Sequence, residues 1–135
     1  ASGDCIIRNA IIYGNVIAKL EPRESLFVGN SIVTGKIKVT GGNSWIDTNI
    51  LPAGDGAPKN RIVIESADRD SWVDYNGIGE GNIVVKGEEG NVLINNNTVL
   101  KGDIRCVAGV ESNTLAFGNI VSQGKVTCPS YFVEP

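Results

Sequence analysis

A pattern of Asn, then an aliphatic residue two places on, then Gly at the sixth place recurs six times, and an internal period restricts the fold more than any other sequence property. The copies are residues 9–14, 30–35, 49–54, 76–81, 97–102 and 119–124, opened by Asn9, Asn30, Asn49, Asn76, Asn97 and Asn119. Their closing glycines are separated by 21, 19, 27, 21 and 22 residues, a mean of 22. Asn makes up 14 of the 135 residues, too few for six aligned recurrences to arise easily by chance.

Each Gly is followed by apolar residues at alternate positions: Val16 and Ala18, Ile37 and Val39, Ile83 and Val85, Ile104 and Cys106, Val126 and Cys128. In the third copy Ile62 and Ile64 take these places after an insertion. Alternation is the period of a strand with one buried face. A further strand is expected before each Asn, in segments such as 26–28, 72–74 and 115–117.

Several short strands in a unit of about 22 residues can bury their apolar faces only by stacking on the next unit. The expected fold is therefore all-β, a single-stranded right-handed parallel β-helix (solenoid) of about six coils, about 22 residues per coil. Residues 1–135 form one domain, with an irregular longer coil at 55–80. Leucine-rich repeats share the period but require Leu at fixed places and a helical segment, and neither is present. The six-residue rhythm of left-handed β-helices is also absent. Asn tolerates the left-handed backbone region, and its amide can bond to the equivalent amide above and below. The six repeat asparagines are thus expected to form a structural ladder.

Composition narrows the function classes. The net charge of -3 comes without a basic cluster, so nucleic acid is not an expected partner. No apolar run approaches the roughly 20 residues needed to span a bilayer. His is absent, and neither a metal nor a cofactor is expected. The start Ala1-Ser2-Gly3 suits a mature secreted protein.

The stretches at 29–39 (GNSIVTGKIKV), 97–106 (NTVLKGDIRC) and 118–128 (GNIVSQGKVTC) resemble small secreted microbial β-solenoid proteins of unknown function. Those proteins carry Asn-Thr-Val-x-Gly-Asn-(Leu/Ile)-x-(Val/Cys) units and a Cys pair in the last two coils. The resemblance covers nearly the whole chain except the irregular part at 55–70. It implies a pectate-lyase-like β-helix and an extracellular location, and no activity.

Cys106 and Cys128 each follow a repeat Gly by four residues, which places them at equivalent positions on successive coils. Stacked about 4.8 Å apart they can close a disulfide. Two small buried apolar residues in contact, or a metal site, are the competing readings. Cys5 lies at the other end, as a core or capping thiol or an intermolecular link.

The longer third coil should emerge as loops at 55–60 and 65–70, including Pro58 and Arg69, either as binding elements or as tolerated insertions. Beside them, Ser-Trp-(Ile/Val)-Asp-x-Asn occurs twice, at 44–49 and 71–76. If Ile46 and Val73 point inward, Trp45, Asp47, Trp72 and Asp74 point outward, and Asn95 extends the polar row by one coil. In the opposite phase the tryptophans are core, with Leu26, Leu93 and Leu115 at the same place in other coils. Exposed aromatics beside carboxylates can stack on sugar rings and accept hydroxyl hydrogen bonds. Asp47 and Asp74 on adjacent coils also suit the carboxylate spacing of retaining glycosidases, or calcium. Asn96-Asn97-Thr98 matches the glycosylation acceptor pattern.

The sequence thus points to a non-enzymatic secreted solenoid at a cell surface or host interface, with a cell-surface or extracellular glycan as candidate partner. A small carbohydrate-active enzyme (polysaccharide lyase or glycoside hydrolase) using Asp47 and Asp74 is the first alternative. A self-assembling module joined through the solenoid ends or Cys5 is the second.

Overall fold

Short apolar-alternating segments separated by Asn and Gly turns become eighteen strands, three to a coil, in a computed structural model describing residues 4–65, 70–86, 91–107 and 114–128. The first two coils carry β1 (Asp4–Arg8), β2 (Ile11–Ile12), β3 (Val16–Lys19), β4 (Ser25–Gly29), β5 (Ile32–Val33) and β6 (Ile37–Thr40). The next two carry β7 (Asn43–Asp47), β8 (Ile50–Leu51), β9 (Asn60–Glu65), β10 (Ser71–Asp74), β11 (Gly77–Glu80) and β12 (Asn82–Lys86). The last two carry β13 (Val92–Asn95), β14 (Thr98–Lys101), β15 (Ile104–Cys106), β16 (Thr114–Phe117), β17 (Ile120–Gln123) and β18 (Val126–Thr127). No helix occurs among the described residues, and thus none there is long and apolar enough to cross a membrane.

Every third strand pairs with its equivalent one coil on, always in parallel, which gives three six-stranded sheets and a solenoid of about five turns. The first sheet is β1-β4-β7-β10-β13-β16, the second β2-β5-β8-β11-β14-β17 and the third β3-β6-β9-β12-β15-β18. Inward residues of all three form one core, including Val28, Ile46 and Val73 from the first, Val33, Leu51 and Ile78 from the second, and Ile37, Ile62 and Ile83 from the third. Each is at most 1% exposed, and burial of such a side chain stabilises by about 1.5–3 kcal/mol.

Hydrogen bonds between equivalent residues step along the chain by 21, 18, 27, 21 and 22 residues. The second step is one residue shorter than the glycine spacing suggests, and it corrects the expected ladder. Asn9 and Asn30 hold the left-handed corner position (φ 56° and 50°), the place taken by Thr48, Tyr75 and Asn96 in later coils. The position after it belongs to Ser31, Asn49, Asn76, Asn97 and Asn119, since the Ser31 N–H donates to Asn49 Oδ1. The side-chain run therefore has four asparagines, not six. The Asn49, Asn76 and Asn97 Nδ2 atoms donate to the next Oδ1 at 2.9–3.0 Å. The same three also donate to the carbonyls of Val28, Ile46 and Val73. Asn9 and Asn30 bond only to each other in this way, on the surface.

The second corner follows a different rule. Gly81 and Gly102 stand at φ 130° and 150°, and a Cβ on Gly102 would lie 1.9 Å from the Gly81 carbonyl oxygen, so no side chain fits. After the glycines, Asn82 Oδ1 accepts from the Asp103 N–H and Asp103 Oδ1 from the Lys125 N–H, an Asx row the repeat analysis did not single out. Gly54 does not join this corner. It opens the insertion at 54–59, and Arg61 fills the gap, fully buried. Arg61 donates to the carbonyls of Gly35, Pro52, Glu80 and Thr34 at 2.8–3.1 Å. Burial lowers its pKa, opposed by the Glu80 carboxylate.

Cys106 and Cys128 form a disulfide with Cα atoms 4.9 Å apart, as their equal place in the repeat requires. Cys5 is exposed on β1, at the opposite end. Of the expected second loop, residues 66–69 with Arg69 lie outside the described residues, as do Ala1-Ser2-Gly3.

Candidate functional site

The alternation of β7 and β10 decides which way the Ser-Trp-x-Asp motif faces. Ser44, Ile46, Ser71 and Val73 are buried, which turns Trp45, Asp47, Trp72 and Asp74 to the outer face of the first sheet. Trp45 is 47% exposed and Trp72 half-buried. The inward phase for the tryptophans is thus excluded. Leu26 does not share their place either: the short second step puts Phe27 opposite Trp45, and Leu26 is core. Leu93 does pair with Trp72, and Leu115 with Leu93.

The outer face carries an aromatic row, Phe27–Trp45–Trp72, which crosses the strands one ring per coil. Trp45 and Trp72 have centroids 5.5 Å apart with planes tilted by 41°, and Phe27 meets Trp45 edge-on at 6.0 Å and 83°. Phe27 leans over Gly29, where a Cβ would come within 2.5 Å of its ring, and the Arg8 guanidinium lies 5.7 Å from the ring centroid. Repeat spacing gave no sign of Phe27 or Arg8 here, because the register of the second coil hid them.

Polar rows flank the rings. On one side Asp47 pairs with Asp74 and Asp74 with Asn95, so the three proposed polar residues stand side by side. On the other side the Ser25 hydroxyl donates to Asn43 Oδ1. The Thr48 hydroxyl donates to Asp47 at 2.8 Å, whereas Asp74 Oδ1 is buried with no hydrogen-bond partner among the described residues. Burial, with the neighbouring Asp47 carboxylate, pushes the Asp74 pKa up to about 6. Among the described residues no group of three or more Cys, Asp or Glu side chains is placed to hold a metal ion.

Protein-family models, curated proteins and solved structures yield no match to this chain. Of the expected resemblance, the β-solenoid with its parallel sheets is what the structure shows. Function has to be argued from the faces of the molecule alone.

Two other surfaces compete with the aromatic face. The insertion at 54–59 separates a basin of about 610 Å³, which reaches Glu80, Asn82 and Lys101, from one of about 490 Å³ near Asn15 and Lys36. The outer face of the second sheet exposes Ile11, Ile32 and Ile50, and Ile32, Ile50 and Tyr75 line a cavity of about 280 Å³ at Gly77. Neither sets aromatic rings between hydrogen-bonding rows.

Proposed function

We propose that this protein is a non-enzymatic secreted β-solenoid that acts at a cell surface or host interface by binding glycan on the outer face of the first sheet. The observation that carries the proposal is the juxtaposition of Trp45 and Trp72 with Asp47, Asp74 and Asn95 on neighbouring strands. Aromatic faces take the apolar face of a sugar, and carboxylate and amide oxygens accept its hydroxyls. The Cys106–Cys128 disulfide supports an oxidising compartment. A glycan array read with the wild-type protein and with Trp45→Ala/Trp72→Ala tests the proposal. Binding by the first and not the second is expected, and equal binding by both would contradict it.

One observation favours an enzyme as the second reading. Asp47 and Asp74 stand opposite each other on neighbouring strands, with the Asp74 pKa raised to about 6, and glycoside hydrolysis uses a pair of neighbouring carboxyls of which the acid has a raised pKa. That reading predicts release of reducing sugar from a bound polysaccharide, abolished by Asp47→Asn or Asp74→Asn. Binding without release supports the first reading.

A further inference from the structure

Resting on the glycan-binding proposal, we infer that the ligand is a soluble, uncharged, linear saccharide chain lying along the solenoid axis, with consecutive sugar units on Trp45 and Trp72. The spacing sets the direction. The two ring centroids are 5.5 Å apart, close to the strand separation of about 4.8 Å and comparable to one pyranose ring with its glycosidic oxygen. A chain parallel to the strands would meet one tryptophan only, because the other outward residues of β7 are Asn43 and Asp47. A chain crossing the strands meets both, and the row of Asp47, Asp74 and Asn95 runs beside it in the same direction.

Charge sets the class. Two carboxyl groups side by side repel a uronate or sulfated chain but accept hydroxyl hydrogen bonds from a neutral one. Arg8, which holds the same row position as Gly29 and Asp47, lies over Phe27. The ring planes separate a soluble chain from a solid surface. Tilted by 41°, Trp45 and Trp72 cannot both lie flat on one crystalline polysaccharide face, whereas a single chain can rotate about each glycosidic bond to follow them. The row is closed at Phe27 by Gly29 below and Arg8 above, and it continues on the other side to the half-buried Leu93. The chain therefore extends from Trp45 over Trp72 towards Leu93.

Calorimetric titration of the whole protein with xylo-, cello-, manno- and chito-oligosaccharides of one to six units, and with oligogalacturonides of the same lengths, tests this. For the neutral series that binds, affinity should rise about two- to tenfold from one unit to two and level off within about four. Leu93→Trp should move the plateau one unit longer, and Trp72→Ala should flatten the series; the wild-type series decides the matter if either variant fails to fold. Affinity independent of length, tighter binding of oligogalacturonides, or retention on crystalline cellulose or chitin powder without soluble binding would overturn the inference and leave glycan recognition standing. Absence of binding to every saccharide would overturn both.

Discussion

The Trp–Asp row and the corner asparagines come from the same six-residue motif, with Trp45, Asp47 and Asn49 in one coil and Trp72, Asp74 and Asn76 in the next. Both repeat once per coil, yet they end in opposite environments. Asn49, Asn76 and Asn97 are at most 2% exposed, and their amide groups bond to the adjacent amide and to a carbonyl of the first sheet. The Trp–Asp row lies on the outer face, with the Trp45 indole exposed, while one Asp74 oxygen is buried without a hydrogen-bond partner among the described residues. Periodicity alone does not separate a structural row from a recognition row. Burial separates the two rows here, with the amides inside and the rings on the outer face.

Substitutions in the two rows should therefore differ in kind. The largest loss of stability is expected for Asn76→Ala, which leaves the Asn49 N–H and Nδ2, the Ile46 carbonyl and Asn97 Oδ1 each short of a partner in a buried corner. With about 1–3 kcal/mol for an unsatisfied buried group and partial relaxation, urea unfolding should show a loss of roughly 2–4 kcal/mol. A loss below about 1 kcal/mol would mean that the amide run is incidental.

Asp74→Asn should act with the opposite sign. A raised carboxyl pKa means that the folded state binds its proton more tightly than the unfolded chain does. The wild-type protein should then lose stability as pH rises from about 4 through about 6, and no more is lost above that. Asn mimics the neutral acid, so the variant should be more stable than the wild type at pH 8 by on the order of 1–2 kcal/mol and nearly equal to it at pH 4. Equal pH profiles would show that Asp74 is better solvated than its position implies.

A smaller effect is expected for Trp45→Ala. The ring contacts Phe27 and Trp72 but fills no core, so chemical denaturation should report a loss of about 1 kcal/mol. A core tryptophan would cost roughly 3–5 kcal/mol. Smallest of all is Asn30→Ala. Although it carries the same repeat signature as Asn76, it is exposed and outside the amide run, and its loss should stay within about 1 kcal/mol even with the left-handed φ of 50°.

The contrast between Asn30 and Asn76 also shows how much was legible in the sequence. Alternating aliphatics and the period made the parallel solenoid legible, and the equal repeat places of Cys106 and Cys128 put them within reach of a bridge that the structure shows. The register of the second coil was not legible, because Asn is favoured both at the left-handed corner position and at the amide position after it. The glycines at 35 and 54 could then be aligned at 19 residues when the sheet steps by 18. That single residue hid Phe27 from the aromatic row and added Asn9 and Asn30 to the wrong row. Arg61 was illegible for another reason. Its partners are backbone carbonyls from Thr34 to Glu80, and backbone acceptors leave no mark on side-chain patterns.

Steady-state quenching of tryptophan fluorescence by acrylamide, with and without a bound neutral oligosaccharide, tests most directly whether the first-sheet row is a recognition face. Accessible quenching in the free protein and protection on saturation with ligand are the predicted results, with protection lost in Trp45→Ala. Tryptophans shielded from acrylamide before any ligand is added, or quenching unchanged when an oligosaccharide binds, would contradict the account.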